Sequence, residues 1–199
     1  MNRRSALAAI VVAMLAAACR GDPEQAAVLP RGHYAVYAAA LDSLVLRAGG
    51  DKRIVLLTPT VGDGPEGTAS VEAMRDDADV PADVRADFMR KNTVRVPLHA
   101  DSLGLNVAVT VVTPDSVGAL ALKDRNDIEG HWDAIFAAFP GARSLVRVSR
   151  VGFSADSSRA LLYLGRTCGD LCGTGWKLQF ARESGTPWRI VATQPVWYH

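Results

Sequence analysis

The sequence has no excess of charge of either sign: 22 basic side chains face 21 acidic ones, for a net charge of +1. That balance excludes a nucleic-acid binder that works through bulk charge. Cysteine is scarce, with three in 199 residues, and so is histidine, with four. There is no second cysteine pair and no His-x-His, so a zinc site would lack ligands. Nowhere do about 20 apolar residues run together, the length a membrane-spanning helix needs. The unbroken stretch over residues 7–18 has twelve, and residues 105–112 are interrupted by Asn106 and Thr110. No Gly-x-Ser-x-Gly elbow, His-Glu-x-x-His pair or phosphate loop is present, and there is neither an internal repeat nor a low-complexity tract. What is there is a chain that is 49% apolar. This excludes a disordered protein and is long enough to bury a core in one domain.

The first residues carry the strongest signal. Arg3 and Arg4 precede the apolar run, and Cys19 follows it. A basic start, a short apolar stretch and a small-residue ending describe a secretory signal peptide over residues 1–18. Leu15-Ala16-Ala17-Ala18-Cys19 resembles a bacterial lipobox, in which the cysteine is acylated and becomes the mature N-terminus. The third position before the cysteine is Ala16 where leucine is usual, so cleavage after Ala16-Ala17-Ala18 without acylation is the alternative. Residues 19–31, small and polar with Pro23 and Pro30, read as the anchor cysteine and a flexible tether. Residues 32–199 then form a single domain, divided into an N-terminal part, 32–125, and a helix with a β-meander, 126–199.

Tyr34, Tyr37, Ala38, Leu41, Leu44 and Val45 share one helical face, which Gly49-Gly50 ends. Residues 54–57 read as a buried strand, followed by a long loop over 58–68. Pro81 can open a second helix with Val84, Phe88 and Met89 on its apolar side. Leu105, Val107, Val109 and Val111 alternate as a strand does. The clearest helix has Asn126 as cap, Glu129 three residues on, and Ile128, Trp132, Ile135, Phe136 and Phe139 as one stripe. Pro140-Gly141 closes it. Four β segments follow: 145–153, 159–166, 175–182 and 188–197, with turn-forming residues between them. The expected fold is α+β: a C-terminal four-stranded antiparallel meander packed on the amphipathic Trp132 helix, with the N-terminal helix and two further strands joining the same core. Trp132, Phe136, Phe139, Phe153, Trp176 and Trp188 are its expected core aromatics.

Residues 132–197 resemble a family of secreted or lipid-anchored bacterial proteins of uncharacterised activity. The shared pieces are Trp132, Phe139-Pro140-Gly141, the Ser149–Phe153 run, the alternating strand from Arg159 to Gly165, and Cys168-Gly-Asp-Leu-Cys172-Gly173-x-Gly175. Trp188 and Trp197 complete the pattern, and Pro187 departs from it. The resemblance implies a shared fold and an envelope location, and no reaction.

Cys168 and Cys172 enclose a five-residue loop. In an exported protein a disulfide is the default reading, worth about 2 kcal/mol through chain entropy for so small a loop. Gly169, Gly173 and Gly175 fit a tight structural loop that needs positive φ. The alternatives are a redox-active pair and a metal site. Asp170 between the thiols would raise a thiol pKa, which disfavours a nucleophile. Gly62-Asp63-Gly64-Pro65-Glu66-Gly67 matches the dinucleotide fingerprint as a bare pattern, but Pro65 has no N–H and two carboxylates would repel a pyrophosphate. His33, His99, His131 and His199 are scattered and read as solvated or capped. Asp76, Asp77, Asp79 and Asp83 read as a solvated acidic cluster without the spacing of a calcium loop. Arg143, Arg147, Arg150, Arg159, Arg166 and Arg189 could line a positive sheet face. Arginine outnumbers lysine 18 to 4 throughout, however, so compositional bias explains them as well.

These features imply no catalytic residue, no cofactor and no metal. The expected protein is a lipoprotein of the cell envelope, held to the membrane through Cys19. It lies on the periplasmic side or at the outer membrane, or is secreted if Cys19 is not acylated, and it acts as a non-catalytic binding or accessory domain. Its partner is a ligand or an envelope protein, not nucleic acid. The alternatives are an extracytoplasmic enzyme, either a thiol oxidoreductase through Cys168 and Cys172 or a hydrolase with a dispersed site, and a purely structural role.

Overall fold

The computed structural model describes residues 29–62, 71–75, 77–121 and 130–198. The signal-peptide, Cys19, Asn126 and Glu129 readings and most of the Gly62–Gly67 pattern lie outside them, as does His199. A five-residue strand, β1 (Arg53–Leu57), holds the fold together because it is apolar on both faces. Ile54 and Leu56 enter the main core, and Val55 and Leu57 enter a second cluster on the opposite side. Such a strand must be covered twice, which suits a parallel arrangement. β1 pairs in parallel with β2 (Ala108–Val112) on one side and with β3 (Leu145–Val148) on the other. From β3 the sheet turns antiparallel through β5 (Arg159–Gly169), β6 (Cys172–Ala181) and β7 (Arg189–Tyr198), and the two-residue β4 (Gly152–Phe153) pairs with the start of β5. The molecule is thus α+β, with one mixed seven-stranded sheet in the order β2-β1-β3-β5-β6-β7.

Helix α1 (Arg31–Ala40) continues as a wider π-helical segment, Leu41–Arg47. Of the face the sequence spacing predicts, Tyr34, Tyr37, Leu41 and Val45 are buried and Ala38 and Leu44 half-buried, while His33, Val36 and Ala40 are buried beside them. Leu29 is already buried, so the packed chain starts slightly ahead of residue 32. This helix covers the face that carries Leu56, Val146, Val148, Leu162, Leu164, Leu178 and Phe180. The other face has two covers. Helix α2 (Ala82–Lys91) places Val84 and Phe88 with Leu161 and Tyr163. Helices α3 (Pro114–Ala121) and α4 (Gly130–Ala138) cover Val55, Leu57 and Leu145. The Trp132 helix, α4, therefore packs its apolar side on the first strand of the meander and meets the later strands at the Asp170 tip between β5 and β6. The rest of the meander packs on α1 and α2, because Leu145 and Val146 point to opposite faces of the sheet. Of the expected core aromatics, Trp188 is buried. Trp132, Phe136, Phe139, Phe153 and Trp176 are half-buried at the edges of the clusters.

The sequence predicts one strand over residues 145–153, and the structure breaks it into β3 and β4. Side chains from both covering helices replace the ladder there. The Tyr37 hydroxyl donates to the Ser149 carbonyl at 2.8 Å. Asn92 Oδ1 accepts from the Arg150 N–H at 2.8 Å, and its Nδ2 donates to the Arg150 carbonyl at 3.0 Å. His33 Nδ1 accepts from the Val151 N–H at 3.1 Å. The break lets α2 sit against β4: a Cβ added at Gly152 would stand 2.5 Å from Phe88 Cβ and 2.7 Å from its Cα. Gly152→Ala must push the α2 backbone away. It is expected to cost about 3 kcal/mol, at the upper end for overpacking. Chemical denaturation measures this directly, and a change under about 0.5 kcal/mol, the range of a neutral surface substitution, would refute the close packing.

Candidate functional site

Helix geometry sets the first wall of the cleft. Asp87, Arg90 and Lys91 fall on one face of α2 at i, i+3 and i+4. Lys91 Nζ pairs with Asp87 Oδ2 at 2.6 Å, and Arg90 pairs with Asp87 Oδ1. The same Asp87 Oδ2 accepts the Phe153 N–H at 2.8 Å, which pins α2 to β4. Burial would raise the Asp87 pKa. The hydrogen bonds from Lys91 and the Phe153 N–H, with the charges of Lys91 and Arg90, nonetheless hold it below the usual carboxylate range.

The second wall is the β4–β5 turn. The Ser154 hydroxyl donates to Asp156 Oδ1 at 2.6 Å, and the Ser158 N–H donates to the same oxygen at 3.0 Å. These bonds lower the Asp156 pKa to about 2. Ser157 sits in the left-handed region, φ 56°, and its carbonyl accepts Arg182 Nε at 3.0 Å. The Arg182 guanidinium lies 4.4 Å above the Trp188 ring, a cation–π contact. The turn and the β6–β7 connection are thereby tied together.

His33 and Pro30, at the start of α1, supply the third wall. His33 is 2% exposed and lies edge-on to Phe153, ring centroids 5.2 Å apart. Burial lowers its pKa to about 4, helped by the charges of Lys91 and Arg150 and opposed by Asp87. Near neutral pH the ring is therefore uncharged. Because Nδ1 accepts the Val151 N–H, the ring proton sits on Nε2. Between these walls lies a cleft of about 230 Å³ lined by His33, Lys91, Phe153, Ser157 and Arg182. It adjoins a groove of about 400 Å³ along Asp83 and Asp87. The sequence reading missed this site, since its residues come from four separate segments. His33, read there as solvated or capped, is instead buried, because α1 presses it against the β3–β4 break.

The carboxyl ends of the parallel strands, a common ligand position in open sheets, are nearly closed here. The Val96 and Leu98 N–H groups donate to the Thr60 and Thr58 hydroxyls, each at 3.0 Å, so residues 96–98 lie across the strand ends. The space left between Leu57, Arg95, Pro114 and Arg147 is about 20 Å³, room for one water.

The other sequence candidates fall apart spatially. Cys168 and Cys172 form a disulfide, Cα atoms 5.0 Å apart. It clips the β5–β6 hairpin at its tip, where Gly169 pairs with Cys172. Asp170 at that tip accepts from Trp132 Nε1 at 2.9 Å and lies 3.3 Å from His131 Nε2. Gly169 lies in β5, and Gly173 and Gly175 lie in β6; none of the three has positive φ. The loop reading is corrected for Gly173 and Gly175, which are small because Trp197 lies across them and Gly165. Trp197 Nε1 donates to the Tyr163 hydroxyl at 2.9 Å. Asp77 is not solvated but pairs with the buried Lys177. Burial would raise the Asp77 pKa, but the Lys177 hydrogen bond, the Asp79 N–H and the charges of Lys177 and Arg85 keep it low. The arginines do not share a face: Arg147 pairs in register with Gly165, while Arg166, one residue on, points the opposite way to Asp51. Among the described residues no group of three or more His, Cys, Asp or Glu is placed to hold a metal ion. No helix among them is long and apolar enough to cross a membrane.

Replacing Cys168 and Cys172 with serine removes a five-residue closure. It is expected to cost about 2 kcal/mol and about 6 °C in Tm, with the far-UV spectrum unchanged. Loss of the fold on reduction would contradict this local role.

The fold and the cleft define an α+β domain with a preformed polar cleft where β4 and the β4–β5 turn of a mixed sheet meet α1 and α2. No protein-family model, no curated protein and no solved structure matches the chain.

Proposed function

We propose that the chain is an exported, membrane-anchored domain of the bacterial cell envelope that binds a ligand in the α1–α2–β4 cleft without transforming it. One observation carries the binding part. The cleft's polar groups are held in place before any ligand arrives: His33 by the Val151 N–H, Lys91 by Asp87, and Arg182 by the Ser157 carbonyl and the Trp188 ring. Preorganised polar groups around an apolar floor are the usual composition of a ligand site. The lining joins no nucleophile to a general base by a hydrogen bond. The one hydroxyl in the lining, Ser157, has no base hydrogen-bonded to it among the described residues, and the neighbouring Ser154 is committed to Asp156 and to the Arg159 N–H.

The export part rests on the sequence of residues 1–19, and the Cys168–Cys172 disulfide is in keeping with an oxidising compartment. Pro30 lines the cleft, so the segment read as a tether joins the domain at the cleft's rim.

Expression of the full chain in a bacterial host, followed by fractionation and mass measurement of the mature N-terminus, tests the location. The expected result is a membrane-bound product that begins at an acylated Cys19, and release of that product by Cys19→Ser. A mature chain that keeps residues 1–18 in the cytoplasm would overturn it.

A further inference from the structure

The cleft's lining is chemically one-sided. Lys91 and Arg182 bring two cations to it, and no carboxylate lines it. The nearest, Asp87, faces the adjoining groove and is shared between Lys91, Arg90 and the Phe153 N–H. Lys91 spends one of its three donors on Asp87, and its Nζ stands 4.8 Å from the Phe153 centroid. Arg182 uses Nε for the Ser157 carbonyl. Its two terminal nitrogens have no partner among the described residues. His33 lines the same space as a neutral ring with Nδ1 already occupied, so its Nε2–H is the donor left over. Two positive charges and one fixed donor converging on an apolar ring call for an acceptor that carries negative charge.

We propose that the cleft binds the oxyanion group, phosphate or carboxylate, of a small ligand whose apolar body lies on Phe153, with Lys91 and Arg182 as counter-charges and the His33 Nε2–H as the orienting donor. This rests on the binding-domain reading and names the chemistry of its ligand. An oxyanion completes the hydrogen bonds of all three residues and leaves the Asp87–Lys91 pair in place. The guanidinium plane offers the oxyanion a bidentate face, and Lys91 offers a point charge. A cationic or neutral ligand would leave Arg182, which has no ion pair among the described residues, without a counter-charge.

The test follows the His33 imidazole and backbone amide signals by NMR in the full chain carrying Cys19→Ser. Phenyl phosphate, benzoate, monomeric dihexanoylphosphatidylglycerol, benzyl alcohol and benzylamine are added in turn. The expected result is a saturable shift at His33, Phe153 and Ser157 with a Kd of about 1 mM or tighter for the anions. The neutral and cationic probes are expected to give none. Tighter binding of the phosphatidylglycerol than of phenyl phosphate identifies a lipid headgroup as the source, and the reverse identifies a soluble organic phosphate or acid. Lys91→Met and Arg182→Gln are each expected to weaken binding about tenfold, and Lys91→Arg to restore most of it. Arg182 is partly exposed, so its variant tests the cleft even if the Lys91 variants fail to fold. Equal binding of benzyl alcohol and the anions would overturn the ligand class while leaving a binding domain. Absence of any saturable shift would overturn the cleft as a site and leave the export test untouched.

Discussion

Asp51→Ala is expected to lower the unfolding free energy by about 3 kcal/mol and Tm by about 10 °C. The Asp51 side chain is fully buried, and it is the point where three segments far apart in sequence meet. Its Oδ1 accepts the Arg143 N–H at 2.6 Å, and both of its oxygens lie 3.2 Å from the Ser144 hydroxyl. Its Oδ2 pairs with Arg166 at 3.2 Å. Arg166 in turn donates to Ser144 Oγ at 3.0 Å. Removing the carboxylate strands a guanidinium, a hydroxyl and a backbone N–H together. A figure at the low end of the range for broken buried pairs is taken because Arg166 keeps 19% of its side chain exposed. Arg166→Ala in the Asp51→Ala background should cost much less than in the native protein, because the stranded charge is then gone. A loss below about 0.5 kcal/mol for Asp51→Ala alone would show that the pair is no more than a surface contact.

Acidification from pH 6.5 to 4 is expected to remove up to about 3 kcal/mol of stability through His33 alone. Burial first, then the charges of Lys91 and Arg150, lower its folded pKa to about 4 from the ordinary 6.5, with Asp87 opposing. Within that window the unfolded chain binds a proton that the folded chain refuses. Stability therefore falls as pH falls, and the loss is complete below pH 4. The groups facing the ring come from every element packed on it: Lys91 and Asp87 from α2, Arg150 from the β3–β4 break, Tyr37 from α1 itself. Asp77, Asp87 and Asp156 have lowered pKa values, so their contributions vanish only as pH drops through those lower values. The two windows are separate. Urea unfolding at pH 7, 5.5 and 4.5 in the native protein and in His33→Gln distinguishes them. The variant should lose the slope across this range whatever its baseline stability, and parallel curves would assign the acid sensitivity elsewhere.

Much of the local structure was legible in the order of residues. The Tyr34-Tyr37-Leu41-Val45 face, the alternation through β6, the Pro140-Gly141 stop and the Cys168–Cys172 closure are all short-range patterns. The β3–β4 break was not legible. Leu145 to Phe153 reads as one strand until Tyr37, Asn92 and His33 arrive from elsewhere and take its hydrogen bonds. Gly173 and Gly175 likewise look like turn glycines until Trp197 is laid over them from a strand more than 20 residues on. His33 carries no sequence signal as a site residue. Its neighbours Lys91, Phe153 and Arg182 lie about 60, 120 and 150 residues away.

By itself the sequence determined the fold class, the helix and strand periods and the oxidised cysteine pair. Each of these follows from burial periodicity or loop closure within a few residues. Only the tertiary structure decided that β1 lies between two parallel neighbours, that the meander rests on α1 and α2 more than on the Trp132 helix, and that a cationic cleft forms where four segments meet. Pairing and convergence of this kind depend on which faces meet across the sheet. That choice is made by the packing of the whole apolar surface at once and is written in no single stretch of the chain.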